Sequence, residues 1–182
     1  GHLMPQAFEI FDDVLTTYEI EDIERLMRQP HFPWYMQEYT ATGNCTDIRF
    51  QDVPFISHNF INRNKFSSFA QAAIDLLNKV RDRTGLNYQY IDRAIGAASF
   101  KTSSPIITPP HLDMETPHRV LLYYVNTTNG QTAVYKKDTD YEELTRVNMR
   151  AGRFLLMDGE YWHSAVTCTD VNYRMIINFN LL

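Results

Sequence analysis

His111-Leu112-Asp113 and a lone His163 far downstream are the residues of this chain whose types and spacing could do chemistry. In extended backbone, residues i and i+2 point to the same face, so the His111 imidazole and the Asp113 carboxylate can converge on one point. A second imidazole, His163, carried in by a distant strand, completes a three-cornered set. Two histidines and one carboxylate on one side of a metal, with the other positions open, suit non-haem Fe(II) oxygen chemistry. Zinc also accepts two histidines and an aspartate with water as fourth ligand, which would give a hydrolase. Arg174 stands directly before the apolar run Met175-Ile176-Ile177. A cation there needs an anionic partner, and the far carboxylate of a dicarboxylate cosubstrate would supply one through two charge-assisted bonds. This arginine favours iron over zinc.

Each residue also has a plainer reading. The segment 111–113 can be a surface turn, although Pro109-Pro110 fixes an extended entry into it. His163 can be satisfied by a backbone carbonyl at the start of a strand. Arg174 can be an edge arginine paired with a surface carboxylate such as Glu160. If the turn between them makes an antiparallel hairpin, His163 and Arg174 face one cavity. His118 belongs to the loop-like Thr116-Pro117-His118-Arg119. His31 and His58 lack a carboxylate two residues away. These three are the weaker candidate ligands.

The elements that must position the set come in two halves. Val14 to Arg28 starts as a short apolar entry and becomes a helix, with Thr16 and Glu19 at capping-box spacing and Ile20, Ile23, Leu26 and Met27 on one face. Pro30 and Pro33 end it, and Phe32-Pro33-Trp34-Tyr35 is aromatic enough to pack on a sheet. Ser67 to Arg83 reads as a second helix capped by Ser67 or Ser68, with an apolar stripe of Phe69, Ala73, Leu76, Leu77 and Val80, ended by Gly85. From Tyr88 the period becomes extended. Strands are expected over 88–101, 119–125, 132–135, 153–157, 164–167 and 173–179, separated by turn signals. Helices first and then a run of short strands give a mainly β protein with buttressing helices (α+β), a helix-backed antiparallel sandwich or jelly roll. No βαβ alternation, GxGxxG or phosphate loop is present. Residues 4–182 are expected to form a single domain, with 4–87 as helical support and 88–182 as the jelly-roll core. Gly1-His2-Leu3 before Met4 reads as an expression scar.

With 182 residues, 44% of them hydrophobic, the chain can bury a core without disulfides. Its two cysteines, Cys45 and Cys168, make no CxxC and read as reduced, partly buried thiols, as in a cytoplasmic protein. A net charge of −5 without a Lys/Arg-rich run argues against nucleic acid as partner. No stretch has membrane-spanning length or the form of a signal peptide.

With these residues in view, the chain resembles the 2-oxoglutarate- and Fe(II)-dependent oxygenases, closest to the prolyl-hydroxylase-like branch and to small oxygenases of phage and marine bacterial type. The matching text is His111-Leu112-Asp113, Leu122-Tyr123-Tyr124-Val125-Asn126, Asn129-Gly130-Gln131-Thr132, Gly152-Arg153-Phe154 and His163 through Arg174, all between 109 and 180. The first half matches by element order and by Phe32-Pro33-Trp34-Tyr35. The resemblance implies a double-stranded β-helix of cupin-like jelly-roll type, iron held by His111, Asp113 and His163, 2-oxoglutarate held by Arg174 and touched by Tyr123, and dioxygen as co-reactant. It also implies hydroxylation of a C–H bond on a small-molecule, peptide or protein substrate, with release of succinate and CO2. Asp113 stands where related halogenases carry a small residue, which favours hydroxylation. The chain departs from the pattern at Asn129-Gly130-Gln131, where many members have Gly-Gly, and in a slightly long interval from His163 to Arg174. A tyrosine expected about ten residues before the HxD motif is replaced by Phe100 or Lys101. Trp162, Tyr124 and Phe154 are candidate wall residues. The rival readings are a cupin-like zinc or manganese hydrolase or isomerase and a non-enzymatic jelly-roll binding module.

Overall fold

The computed structural model describes residues 8–40 and 43–182. The expected scar at 1–3 lies outside the described residues. In chain order the elements are β1 (Phe8–Phe11), α1 (Thr17–Arg28), β2 (Tyr35–Gln37), β3 (Phe55–Asn62), β4 (Lys65–Phe66), α2 (Ala70–Thr84), β5 (Ile91–Phe100), β6 (Arg119–Tyr124), β7 (Gln131–Tyr135), β8 (Glu143–Asn148), β9 (Phe154–Asp158), β10 (His163–Val166) and β11 (Tyr173–Leu181).

The capping box that opens α1 is present as expected. Thr16 Oγ1 accepts the Glu19 N–H at 3.2 Å and Glu19 Oε1 accepts the Thr16 N–H at 2.9 Å. The second helix starts later than its serines imply. Phe69 is its N-cap and has no side-chain cap, because Ser67 Oγ is spent on the Phe69 N–H at 3.2 Å, short of the first turn. Gly85 ends it in the left-handed region (φ 76°), its N–H donating to the Arg81 carbonyl at 3.0 Å.

Among the described residues the strands form two antiparallel sheets. The larger runs β1-β9-β6-β11-β5-β3-β2, with β4 on β3, and the smaller runs β10-β7-β8. The segment before the HxD motif adds to the smaller sheet through isolated bridges, Ile107 to Val166 and His111 to His163. Pro109 and Pro110 have no N–H to give, which holds this edge to bridges. Thr108 compensates, its N–H and hydroxyl both donating to the Ala165 carbonyl at 2.9 Å. Two facing antiparallel sheets with this connectivity make the expected double-stranded β-helix with buttressing helices.

Register assigns each face of the large sheet. β11 pairs Ile177 with Tyr123 on β6 and with Gly96 on β5, and Ile176 with Tyr124 and Ala97. The odd-numbered side of β11 therefore meets the helices, in a core with Leu76, Leu77, Val80, Tyr123, Phe154 and Phe179. The even-numbered side faces the smaller sheet, where Val120, Leu122 and Tyr124 pack on Val134, Val147 and Leu155. Each fully buried Leu or Val adds on the order of 1.5–3 kcal/mol, which is what fixes this register.

The region before residue 88 holds more than helices. β1, β2, β3 and β4 come from it, and β3 pairs along β5 deep in the large sheet. Arg63 and Asn64, both at positive φ (46° and 68°), make the tight turn from β3 to β4. β8 was not expected either. Cys168 is buried, whereas Cys45 is exposed rather than partly buried. Among the described residues no helix is long and apolar enough to cross a membrane.

Candidate active site

The bridge between the 106–111 segment and β10 sets two histidines side by side. The His111 N–H donates to the His163 carbonyl at 3.1 Å, the His163 N–H returns the bond at 3.2 Å, and the ring centroids lie 4.5 Å apart. Each Nδ1 faces a carbonyl two residues earlier, His111 to Pro109 at 3.3 Å and His163 to Tyr161 at 3.4 Å. A proton placed on Nδ1 to serve these carbonyls leaves the Nε2 lone pairs free. Both Nε2 atoms lie 3.3 Å from Asp113 Oδ1, and the candidate ligand atoms of the three residues are all within 4.8 Å of one another. In that tautomer three lone pairs converge with no proton between them, so the cluster fits a cation.

Asp113 is held from behind. Its Oδ2 accepts amide N–H bonds from Asn178 at 2.8 Å and Asn180 at 2.9 Å, and its backbone carbonyl accepts Arg93 Nη2 at 2.7 Å. Asn178 and Asn180 are i and i+2 on β11 and share the cavity face. When both imidazoles are instead protonated, burial raises the cost of the Asp113 charge, but the His163 charge, the hydrogen bonds from both rings and the His111 charge outweigh it and hold the carboxyl well below its usual range. For His111, burial works against the charged form, and the Asp113 hydrogen bond and charge more than offset it, so its pKa rises.

Arg174 reaches from β11 into the gap between the sheets. It is 4% exposed, its Nη2 donates to the Gln131 carbonyl at 3.0 Å and to Thr132 Oγ1 at 3.2 Å, and its Nε has no hydrogen-bond partner. Among the described residues no carboxylate pairs with it; Glu160 is engaged by Lys137 at 2.5 Å instead. Burial lowers its pKa, as expected for a cation out of water without a counter-charge. Gly130 gives the side chain passage, because a Cβ there would meet Arg174 Cδ at 3.1 Å and the Val166 carbonyl oxygen at 2.9 Å. Opposite Arg174 on β5 stands Ser99, whose buried Oγ is also without a partner. His111, Asp113, Ser99 and Arg174 line one cavity of about 540 Å³, with Ala97 and Ile176 forming apolar wall.

The structure thus brings His111, Asp113 and His163 together and sets Arg174 in the cavity that His111 and Asp113 line. It does so without the expected hairpin: β10 and β11 lie in different, facing sheets. Tyr123 lies elsewhere. Alternation along β6 turns it to the helix side, against the Phe154 ring at 4.8 Å, with its hydroxyl unpartnered and its pKa raised by burial and by Glu24 and Glu19. Its neighbour Tyr124 faces inward and shares a 2.7 Å hydrogen bond with Thr132 Oγ1, the atom that also accepts from Arg174. Of the other wall candidates, Phe154 is on the helix side and Trp162 is 41% exposed against Tyr141. Phe100 packs on Tyr173 at the sheet's other face, so Ser99 takes the cavity position.

His31, His58 and His118 are apart from the cluster. His58 sits between the Pro33 carbonyl (2.9 Å) and Ser67 Oγ (2.8 Å) among Phe32, Phe60 and Phe69, and burial lowers its pKa. His118 is tied to the Thr116 carbonyl at 2.7 Å, and His31 is exposed. Sequence reasoning missed Asn178, Asn180 and Ser99. The period-2 placement of two asparagines in an otherwise apolar strand was the available signal.

No protein-family model matches the chain, and no curated protein does. Solved structures match its fold. A 2OG-Fe(II) oxygenase family oxidoreductase from Burkholderia pseudomallei superposes with a TM-score of 0.69 at 13% identity, over 96% of this chain and 85% of that one. A prolyl-4-hydroxylase from Pseudomonas putida gives 0.61 at 12% identity, over 97% and 93%. HygX from Streptomyces hygroscopicus, solved with nickel and 2-oxoglutarate bound, gives 0.60 at 15% identity, over 96% and 82%. The chain has the fold of these oxygenases.

Proposed function

We propose that residues 4–182 form one oxygenase domain, an Fe(II)- and 2-oxoglutarate-dependent dioxygenase that hydroxylates a C–H bond of a small-molecule or peptidyl substrate. The observation that carries the reading is the pairing of a buried, acid-free Arg174 with a His111-Asp113-His163 cluster on one cavity. Either feature alone has other uses; together they suit a dicarboxylate bound at one end by a metal and at the other by a guanidinium. The fold shared with 2-oxoglutarate oxygenases supports the same reading.

The chemistry that Fe(II) and 2-oxoglutarate supply when bound is activation of dioxygen coupled to conversion of the 2-oxo acid to succinate and CO2. The chain's residues do the rest. His111 and His163 offer Nε2 while their Nδ1 atoms stay on carbonyls. Asp113 offers Oδ1 and a single negative charge while the asparagines hold Oδ2. Arg174 and Ser99 orient the distal carboxylate, with Thr132 of the opposite sheet bracing Arg174 and Tyr124 bonded to Thr132 behind it. Ala97 and Ile176 exclude water along the wall, which strengthens the Arg174 interaction. Asp113 would take, on a bound metal, the place that halide transfer would need, which supports hydroxylation.

The test is succinate formation with Fe(II) and 2-oxoglutarate, with and without a panel of peptides and amino acids, read with mass gain of one oxygen on the acceptor. Iron-dependent succinate that disappears in His111→Ala and in Asp113→Ala is the expected result. Unchanged turnover in either variant overturns the reading.

A further inference from the structure

The cavity carries a second arginine that the cosubstrate does not need. Arg93 lies on the inward face of β5, directly opposite Asn180 on β11. Arg174 and Asn180 are six residues apart on β11, about 20 Å of strand. Asp113 is bonded to Asn178 and Asn180 at the Arg93 end. The two arginines therefore sit towards opposite ends of one floor, with the metal-type cluster close to Arg93.

Arg93 is anchored and not satisfied. One Nη2 hydrogen goes to the Asp113 carbonyl at 2.7 Å, which fixes the guanidinium beside the cluster, while Nε is buried without a hydrogen-bond partner. Among the described residues its only ion-pair partner is Asp92, at 3.7 Å, beyond hydrogen-bond length, and Asp92 is shared with Arg63 at 3.9 Å. One carboxylate against two guanidinium groups leaves a net positive charge at this end. Of the residues lining the cavity, only Arg93, Asp113 and Arg174 carry full charges. A divalent metal with Asp113, and Arg174 with a dicarboxylate, account for each other's charge. Arg93 is left over, two residues from the apolar Ile95 on the same face of β5.

We infer that the primary substrate is a small carboxylic acid, its carboxylate received by Arg93 and its apolar part lying on Ile95. This rests on the oxygenase reading above. A volume of about 540 Å³, shared with the cosubstrate, suits a free acid of this kind. A guanidinium on the cavity wall with surplus positive charge is matched by a carboxylate, whose oxygens take charge-assisted bonds that a neutral amide does not provide.

The experiment uses the intact protein with Mn(II) and 2-oxoglutarate. Calorimetry first establishes that this pair binds; failure there overturns the oxygenase reading and the inference with it. The common L-amino acids and short straight-chain carboxylic acids are then titrated by thermal shift, each beside its carboxamide. At least one acid is expected to bind about tenfold to a hundredfold more tightly than its amide. Arg93→Gln, which keeps an N–H for the Asp113 carbonyl and removes the charge, should erase that preference while 2-oxoglutarate still binds; Arg93→Lys should keep part of it. Acids and amides that bind alike in the wild type, with 2-oxoglutarate bound, overturn the inference alone and need no variant. A preference that persists in Arg93→Gln overturns it as well.

Discussion

Asn178 donates an amide N–H to Asp113 Oδ2 over 2.8 Å, and so decides which oxygen of that carboxylate faces the two histidines. Asn180 repeats the bond at 2.9 Å. Partners behind a ligand are worth about 10–100-fold in metal affinity. Asn178→Leu should weaken Mn(II) binding by an amount in that range and leave the melting temperature of the metal-free protein nearly unchanged. Mn(II) titration followed by electron paramagnetic resonance reads the affinity and a thermal melt of the metal-free protein reads the stability; an unaltered affinity removes the asparagine from this role.

The adjacent tyrosines of β6 predict opposite outcomes. Tyr123→Phe removes a buried hydroxyl with no partner, so stability should hold or rise by up to about 1 kcal/mol and 2-oxoglutarate affinity should not change. Tyr124→Phe breaks the hydrogen bond to Thr132 that backs Arg174, with an expected loss of about 1 kcal/mol in 2-oxoglutarate binding. Calorimetry on the Mn(II) protein separates them.

Arg174 sets stability against function. Replacing a buried, unpaired cation by a side chain of similar length should leave the ligand-free protein as stable or raise it by about 1–2 kcal/mol. Arg174→Met is therefore expected to melt at or above the wild-type temperature while losing 2-oxoglutarate stabilisation. Ser99→Ala should show a milder form, about 1 kcal/mol weaker in 2-oxoglutarate binding with unchanged melting. A large fall in the melting temperature of ligand-free Arg174→Met would mean that the arginine is structural.

Away from the cavity, Glu19 joins the helices and gives the fold a pH dependence. Its carboxylate accepts Arg83 at 2.6 and 3.0 Å, closes the α1 capping box, and lies 3.3 Å from Lys79. The Arg83 bonds, first among these, hold its pKa well below the ordinary 4.5. A lowered folded pKa contributes stability that is complete above the unfolded value and is lost as pH falls through it towards the folded one. Glu19→Gln should cost about 1 kcal/mol at pH 7 by the usual worth of such contacts. The gap to wild type should close below about pH 4.5 in denaturant titrations. A gap independent of pH would assign the loss to packing.

The parts legible in sequence were those with a strong local signal. The α1 capping box, the stripe of α2 with Gly85, and the strands from β5 onward other than β8 stand close to their expected positions. β3 was missed because Ser57, His58 and Asn59 interrupt its apolar pattern, and they are accommodated only by partners such as Pro33 and Ser67 that the fold supplies. β2 and β4 are too short to carry a period, and β8 is largely exposed. The HxD…H…R spacing located the residues that the fold brings together, but which of Tyr123 and Tyr124 faces the space between the sheets depends on register against β11, which one strand cannot show. Asn178, Asn180, Ser99 and Arg93 acquire meaning only when β5 and β11 lie side by side.

The most direct measurement of the central claim is calorimetric titration of 2-oxoglutarate into the Mn(II)-loaded protein, repeated without metal and with Arg174→Ala. Binding should require the metal and should weaken in Arg174→Ala by about thirtyfold or more, the loss of a buried charged hydrogen-bond pair. Binding that ignores both Mn(II) and Arg174, or no binding at all, would contradict the account.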